Sequence, residues 1–155
     1  MDSQDLRGEG LDGWYPFNHP QFPCASSYTF GGTLLDDSGY YPWLLARIPA
    51  RPGVYLVRAL EPIGRWLGFS DILYVGRATG RRGLRGRLAG YVRSRLWQGR
   101  SPIWDAWEMM SGYEAFEIGW FVTQIQAEAT WLERELMARY ERALGELPPL
   151  NSRRG

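Results

Sequence analysis

Pro52-Gly53-Val54-Tyr55-Leu56-Val57 and Ile72-Leu73-Tyr74-Val75-Gly76 are the two stretches on which the fold turns. Both are β-branched and aromatic runs bounded by glycine or proline, which predicts two strands pairing antiparallel. Further along, Phe116, Ile118, Trp120 and Val122 alternate with Glu117, Gly119 and Phe121, a period of two that predicts a third strand with one better-buried face. Between the second and third strands, Leu84, Leu88, Tyr91, Val92 and Leu96 recur at helical spacing, so an amphipathic helix should lay this stripe on the sheet and turn its arginines outward. A second helix is predicted over roughly 126–144. The fold expected from these pieces is α+β, an α/β sandwich in which helices flank a three-stranded, mainly antiparallel sheet. It occupies residues 47–155, behind an N-terminal arm of residues 1–46.

The second helix holds an anomaly. At about 100° per residue from Ala127, the side chains of Leu132, Ala143, Leu136, Ala129, Tyr140, Leu144 and Met137 fall between about 140° and 280°. Glu133 falls at about 240°, inside that apolar arc, whereas Glu128, Glu135 and Arg139 gather near 100° on the expected solvated face. A carboxylate among apolar neighbours is costly unless it is paired, protonated or bound to a cation. An ion pair with one of the arginines and a metal site are the two readings.

Charge is distributed as unevenly. The formal net charge is +1, but residues 1–46 carry six acids and one arginine, residues 47–104 twelve arginines and two acids, and residues 105–155 nine acids and five arginines. Lysine is absent, so the positive charge consists wholly of guanidinium forks suited to bidentate phosphate contact. Between Asp71 and Asp105 no acid interrupts Arg77, Arg81, Arg82, Arg85, Arg87, Arg93, Arg95 and Arg100. Such a run is the footprint of a phosphate-binding surface, although a plain solvated helix face gives the same pattern. A nucleotide-triphosphate loop between Gly76 and Gly86 is ruled out because no lysine is present to reach the β and γ phosphates.

The arm is rich in glycine, proline and aromatic residues, as in Trp14-Tyr15-Pro16-Phe17-Asn18-His19-Pro20, and has neither a helical nor a strand period. Its aromatics should anchor it to the core, or stack on bases. His19 and the single cysteine, Cys24, are too few for a metal site. One cysteine forms no internal disulfide, and neither a targeting pattern nor a membrane-spanning apolar run occurs, so a cytoplasmic protein is expected, nucleoid-associated if bacterial.

Gly53-Val54-Tyr55, Tyr74-Val75-Gly76, Leu84-Arg85-Gly86-Arg87-Leu88, Glu128-Ala129-Thr130-Trp131-Leu132-Glu133 and Asn151, in this order, resemble the signature of the GIY-YIG nuclease superfamily. Residues 48–151 are most similar to the incision domain of the bacterial nucleotide-excision repair nuclease. The resemblance implies a phosphodiester hydrolase acting on DNA in repair or restriction. Tyr55 and Tyr74 match the tyrosines that serve as general base or orient the attacking water. Arg87 matches the arginine on the scissile phosphate, Glu133 the metal-binding glutamate, and Asn151 the asparagine that closes and positions the site. The implied cofactor is Mg²⁺ or Mn²⁺. Gly76 should let the backbone approach the phosphate closely, and Arg77, Arg81, Arg82, Arg85, Arg93 and Arg95 should hold nucleic acid. The spacer from Leu56 to Leu73 is longer than usual in the family and is expected to form a wide hairpin loop around Pro62, Gly64, Trp66 and Gly68, a candidate specificity element. Tyr91, four residues after Arg87, follows the repair-type pattern. Duplex, branched and single-stranded DNA, and RNA, all stay open as substrates, as does a protein partner or homodimer. The alternative function is a silent nucleic-acid-binding or scaffolding module of the same fold, which needs the arginines but no carboxylate on an apolar helix face.

Overall fold

A computed structural model of the chain describes residues 1–6, 9–11, 13–17, 29–30, 33–34, 47–92 and 116–151. Its strands are β1 (Tyr15–Phe17), β2 (Thr29–Phe30), β3 (Thr33–Leu34), β4 (Gly53–Arg65), β5 (Gly68–Ala78) and β6 (Phe116–Val122). Among the described residues two helices accompany them, α1 (Gly83–Val92) and α2 (Gln126–Leu144). The main sheet has the order β1-β6-β4-β5, with every pairing antiparallel. β2 and β3 form a separate antiparallel pair among the described residues. The three expected strands thus form an antiparallel sheet flanked by two helices, and the arm contributes a fourth strand where no strand period is visible.

The register assigns a helix to each face. Val54 and Leu56 pair across β4 and β5 with Arg77 and Val75, and the Val54 side packs with Ala129, Leu136, Tyr140 and Leu144 of α2. Tyr55 and Val57 point the other way, opposite Gly76 and Tyr74, toward α1. Leu84 and Leu88 of α1 are fully buried, and burial of each contributes about 1.5–3 kcal/mol. α2 begins after Ile125, where Glu128 accepts the amide of Gln124 at 2.8 Å. It ends at Gly145, whose amide returns to the carbonyl of Glu141 at 2.8 Å.

Three expectations change. The spacer is no wide loop: β4 and β5 run on to Arg65 and Gly68, which pair across a two-residue turn at Trp66 and Leu67. Pro62 is tolerated because the register shifts between Arg58 and Ile63 and leaves residues 59–62 unpaired with β5, so its missing N–H costs no ladder bond there. β6 is buried from Ile118 through Phe121, on both faces: Phe121 joins the core under α2, and Leu11 and Trp14 of the arm pack over Gly119. Ala143 is exposed despite its place in the apolar arc, since only Leu144 of the last turn reaches the core. The arm is also part of the fold. Leu6 and Trp14 join the α2-side core, and Arg58 ties them in: it stacks 4.3 Å over Trp14, pairs with Glu117 at 2.7 Å and donates to Ser3 Oγ at 2.7 Å. Ser3 in turn donates its amide, at 2.8 Å, and its hydroxyl to Asp71.

The turn of the long hairpin is pinned to the end of α2 although its side chains are exposed. Leu67 N–H donates to the carbonyl of Leu144 at 3.2 Å, and Trp66 N–H to Glu146 at 3.0 Å. Arg65 pairs with Glu146 at 3.0 Å and donates to the carbonyl of Leu147 at 2.8 Å. Trp66, Leu67 and Phe69 lie open beside these anchors. Among the described residues no helix is long and apolar enough to cross a membrane.

Candidate active site

A cavity of about 1170 Å³ opens around the outer edge of β5, and the candidate residues converge on it from separate elements. Its basic wall begins where β5 ends. Thr79, Gly80, Arg81 and Arg82 form the turn into α1, and α1 starts at Gly83 with φ +55°, a left-handed value that favours glycine. A Cβ there would lie 2.1 Å from the carbonyl oxygen of Arg51, so the helix start is pressed directly on that segment. The contact also consumes helix amides: Leu84 N–H donates to Arg51 at 2.9 Å and Arg85 N–H to Pro49 at 3.1 Å. An anion in the cavity therefore meets guanidinium side chains, those of Arg77, Arg81, Arg82 and Arg87, in place of these helix-terminal N–H groups. Arg85 does not line the cavity; its Nε donates to the carbonyl of Ile48 at 2.7 Å. Arg93, Arg95 and the side chain of Tyr91 lie outside the described residues, as do His19 and Cys24.

The two tyrosines divide the site between them. Their rings lie 5.8 Å apart, yet only Tyr74 lines the cavity, while Tyr55 is 0% exposed. Tyr55 Oη accepts a long hydrogen bond, 3.4 Å, from Nε of Arg87. Gly76 makes room for both rings. A Cβ there would stand 2.6 Å from Cζ of Tyr55 and 2.6 Å from Cε1 of Tyr74. Its role is thus a packing one beneath the tyrosines, where close approach of backbone to phosphate was expected; it is buried and lies outside the cavity lining.

The acidic wall comes from α2. Glu133, Met137 and Glu141 follow one another at a spacing of four, which stacks them along one helix face above the cavity. Glu133 sits 3.7 Å from Arg77, its cross-strand position on β5 being opposite Val54 on the α2 side of the sheet. The side chains are 23% and 44% exposed, so this pair is worth only about 0.2–1 kcal/mol. Both readings of the misplaced carboxylate are therefore present in one place, an arginine partner and an open cavity.

Asn151 closes the outer edge of β5. Val75 N–H donates to its Oδ1 at 2.9 Å, and its Nδ2 donates to the carbonyl of Val75 at 2.8 Å, so one carboxamide stands in for a neighbouring strand between Tyr74 and Gly76. The preceding tail helps, with Leu150 N–H on the carbonyl of Leu73 at 3.0 Å.

The donor set limits which cation could bind. Among the described residues no three His, Cys, Asp or Glu side chains gather into a metal cluster. Glu133 alone, with Glu141 two turns away and about 12 Å along the axis, suits an ion that takes one or two carboxylates and fills its remaining positions with water and phosphate oxygens. Mg²⁺ and Mn²⁺ fit that description, and a tetrahedral zinc site does not.

The cavity thus brings together Tyr74, Arg87, Glu133 and Asn151 with Arg77, Arg81 and Arg82, and leaves Tyr55 one layer behind. Thr79, Met137 and Glu141 were missed by sequence reasoning. Glu141 falls at about 320° on the α2 wheel, just past Met137, and that adjacency was the available signal. Comparison of the chain with protein-family models, with curated proteins and with solved structures returns no match. Any likeness in function rests on the residues themselves.

Proposed function

We propose that the chain is a divalent-metal-dependent nuclease of the GIY-YIG type that hydrolyses phosphodiester bonds in DNA. The observation that carries this reading is the convergence of Tyr74, Arg87, Glu133 and Asn151, from β5, α1, α2 and the tail, on one cavity with an arginine wall. Motif residues that merely stabilised a sheet would have no reason to meet at a solvent-accessible edge.

In this reading Arg87 holds the scissile phosphate and neutralises charge that grows on it in the transition state. Tyr55, which accepts from Nε, helps to orient the guanidinium toward the cavity that Arg87 lines. Tyr74 orients the attacking water; a phenol with the usual pKa near 10 serves better as an orienting group than as a strong base at neutral pH. Asn151 holds the Val75 peptide, and with it the Tyr74 ring. Glu133 would hold the Mg²⁺ or Mn²⁺, with water and phosphate oxygens completing its coordination. When bound, the ion supplies Lewis-acid stabilisation of the phosphate and leaving oxygen.

A second reading, a silent nucleic-acid-binding module, draws on the Arg77–Glu133 pair, which gives the carboxylate a structural partner. Incubation with supercoiled plasmid, single-stranded and branched DNA, and RNA, in Mg²⁺, Mn²⁺ or EDTA, separates the two. Cleavage that needs the ion and is abolished by Glu133→Gln, with binding retained, is the expected outcome. Full activity of Glu133→Gln or in EDTA ends the metal role, and binding without cleavage under every condition favours the silent module.

A further inference from the structure

The Arg77–Glu133 contact has a consequence for the order in which ligands enter the cavity. Both side chains line it, and they stand 3.7 Å apart with Arg77 the more exposed of the two. A guanidinium at that distance competes with any cation for the same carboxylate, since two positive charges beside one negative charge repel each other in a partly desolvated site. Arg77 is also on the strand that carries Tyr74, in the guanidinium group of Arg81, Arg82 and Arg87 that faces an incoming phosphate.

We infer that Arg77 is a substrate-released counter-ion of Glu133. In the free protein it occupies the carboxylate and keeps divalent-ion affinity low. When a phosphodiester enters, Arg77 exchanges Glu133 for a phosphate oxygen, an acceptor of the same charge, and Glu133 is left free for the ion. Metal and nucleic acid then bind with positive coupling, and by linkage the ion raises nucleic-acid affinity by the same factor as nucleic acid raises ion affinity. The inference rests on the proposed metal role of Glu133 and adds to it a regulation of that site. Part of any coupling comes from direct phosphate ligation of the ion, so the contribution of Arg77 is the part that disappears with its side chain.

The test reads ion binding directly. Mn²⁺ bound to the full chain is measured by electron paramagnetic resonance, for the free protein and for protein saturated with a phosphorothioate oligonucleotide that resists cleavage. Four proteins are compared: wild type, Arg77→Gln, Arg81→Gln and Glu133→Gln. Arg81 lines the same cavity and makes no ion pair with Glu133 among the described residues, so its loss reports the general effect of removing one positive charge. The expected result is that Arg77→Gln raises Mn²⁺ affinity of the free protein by about two- to fivefold over Arg81→Gln, the range of a partly exposed ion pair. The oligonucleotide should then raise Mn²⁺ affinity less in Arg77→Gln than in wild type. Equal behaviour of the Arg77 and Arg81 variants, with Mn²⁺ binding still removed by Glu133→Gln, overturns the counter-ion role alone. Mn²⁺ binding that survives Glu133→Gln overturns the metal site and the counter-ion role together.

Discussion

Arg87 and Tyr55 illustrate how one residue's exposure decides its chemistry. Arg87 reaches the cavity and Tyr55 does not, so under the proposed mechanism substitutions at the two should separate a group that touches phosphate from one that positions it. Arg87→Ala is expected to lower the single-turnover cleavage rate by about 10² or more while changing equilibrium binding little, because its contact strengthens as charge develops. Tyr55→Phe keeps the buried ring and removes the acceptor of a 3.4 Å bond. A smaller loss, about three- to tenfold in rate, is expected there. If Arg87→Ala and Arg81→Ala slow cleavage equally, Arg87 is only one of several wall charges. The motif order made both residues visible in the sequence. It carried no information about depth, because Tyr55 is covered by β6 and α1, where Trp120 lies cross-strand to it and Leu84 and Leu88 are buried.

Among the elements, α2 was the most legible. Its limits and its apolar arc follow from a sustained 3.6-residue period, and the same arithmetic singled out Glu133. The β4–β5 hairpin was the least legible. Pro62 and Gly64 read as breakers, but a proline is harmless where a register shift has already removed the ladder bond. Nothing local in the sequence announces that shift. Strand β1 was hidden for a similar reason, since three residues paired to an edge leave no period to detect. α2 also carries a titration. Burial raises the pKa of the Tyr140 phenol above 10.0, against smaller opposing effects from Ser70 and Arg65. The folded state therefore prefers the neutral phenol more than the unfolded chain does. This contribution is complete below about pH 10 and is lost as pH rises through the unfolded and then the folded value. Wild type should lose stability steeply above pH 10 in denaturant titrations, and Tyr140→Phe should lose it less steeply. Parallel curves would mean that another group drives alkaline unfolding.

At the scale of the molecule, the site lies on a sheet edge, where residues from both faces can meet around one strand. Tyr74 comes from the α1 side, Arg77 and Glu133 from the α2 side, and Asn151 from the edge itself. That convergence was not legible in spacing alone, because it requires knowing that β5 is outermost. The segregation of arginines was legible, and it makes a prediction about affinity. Replacing Arg81 and Arg82 together by alanine should reduce the slope of log K against log salt by about 1.4–1.8, two phosphate contacts' worth, on unrelated sequences alike. A slope unchanged from wild type would locate the nucleic acid away from the arginine wall. The edge position has one more consequence, for the shelf life of the protein. The clamp on Val75 depends on a carboxamide that both donates and accepts. Slow hydrolysis of the Asn151 side chain to aspartate would leave a carboxylate oxygen facing the Val75 carbonyl, with no donor between them. Stored material would then lose activity and melt at a lower temperature in proportion to deamidation, and mass spectrometry of the peptide that contains Asn151 would identify the aged fraction.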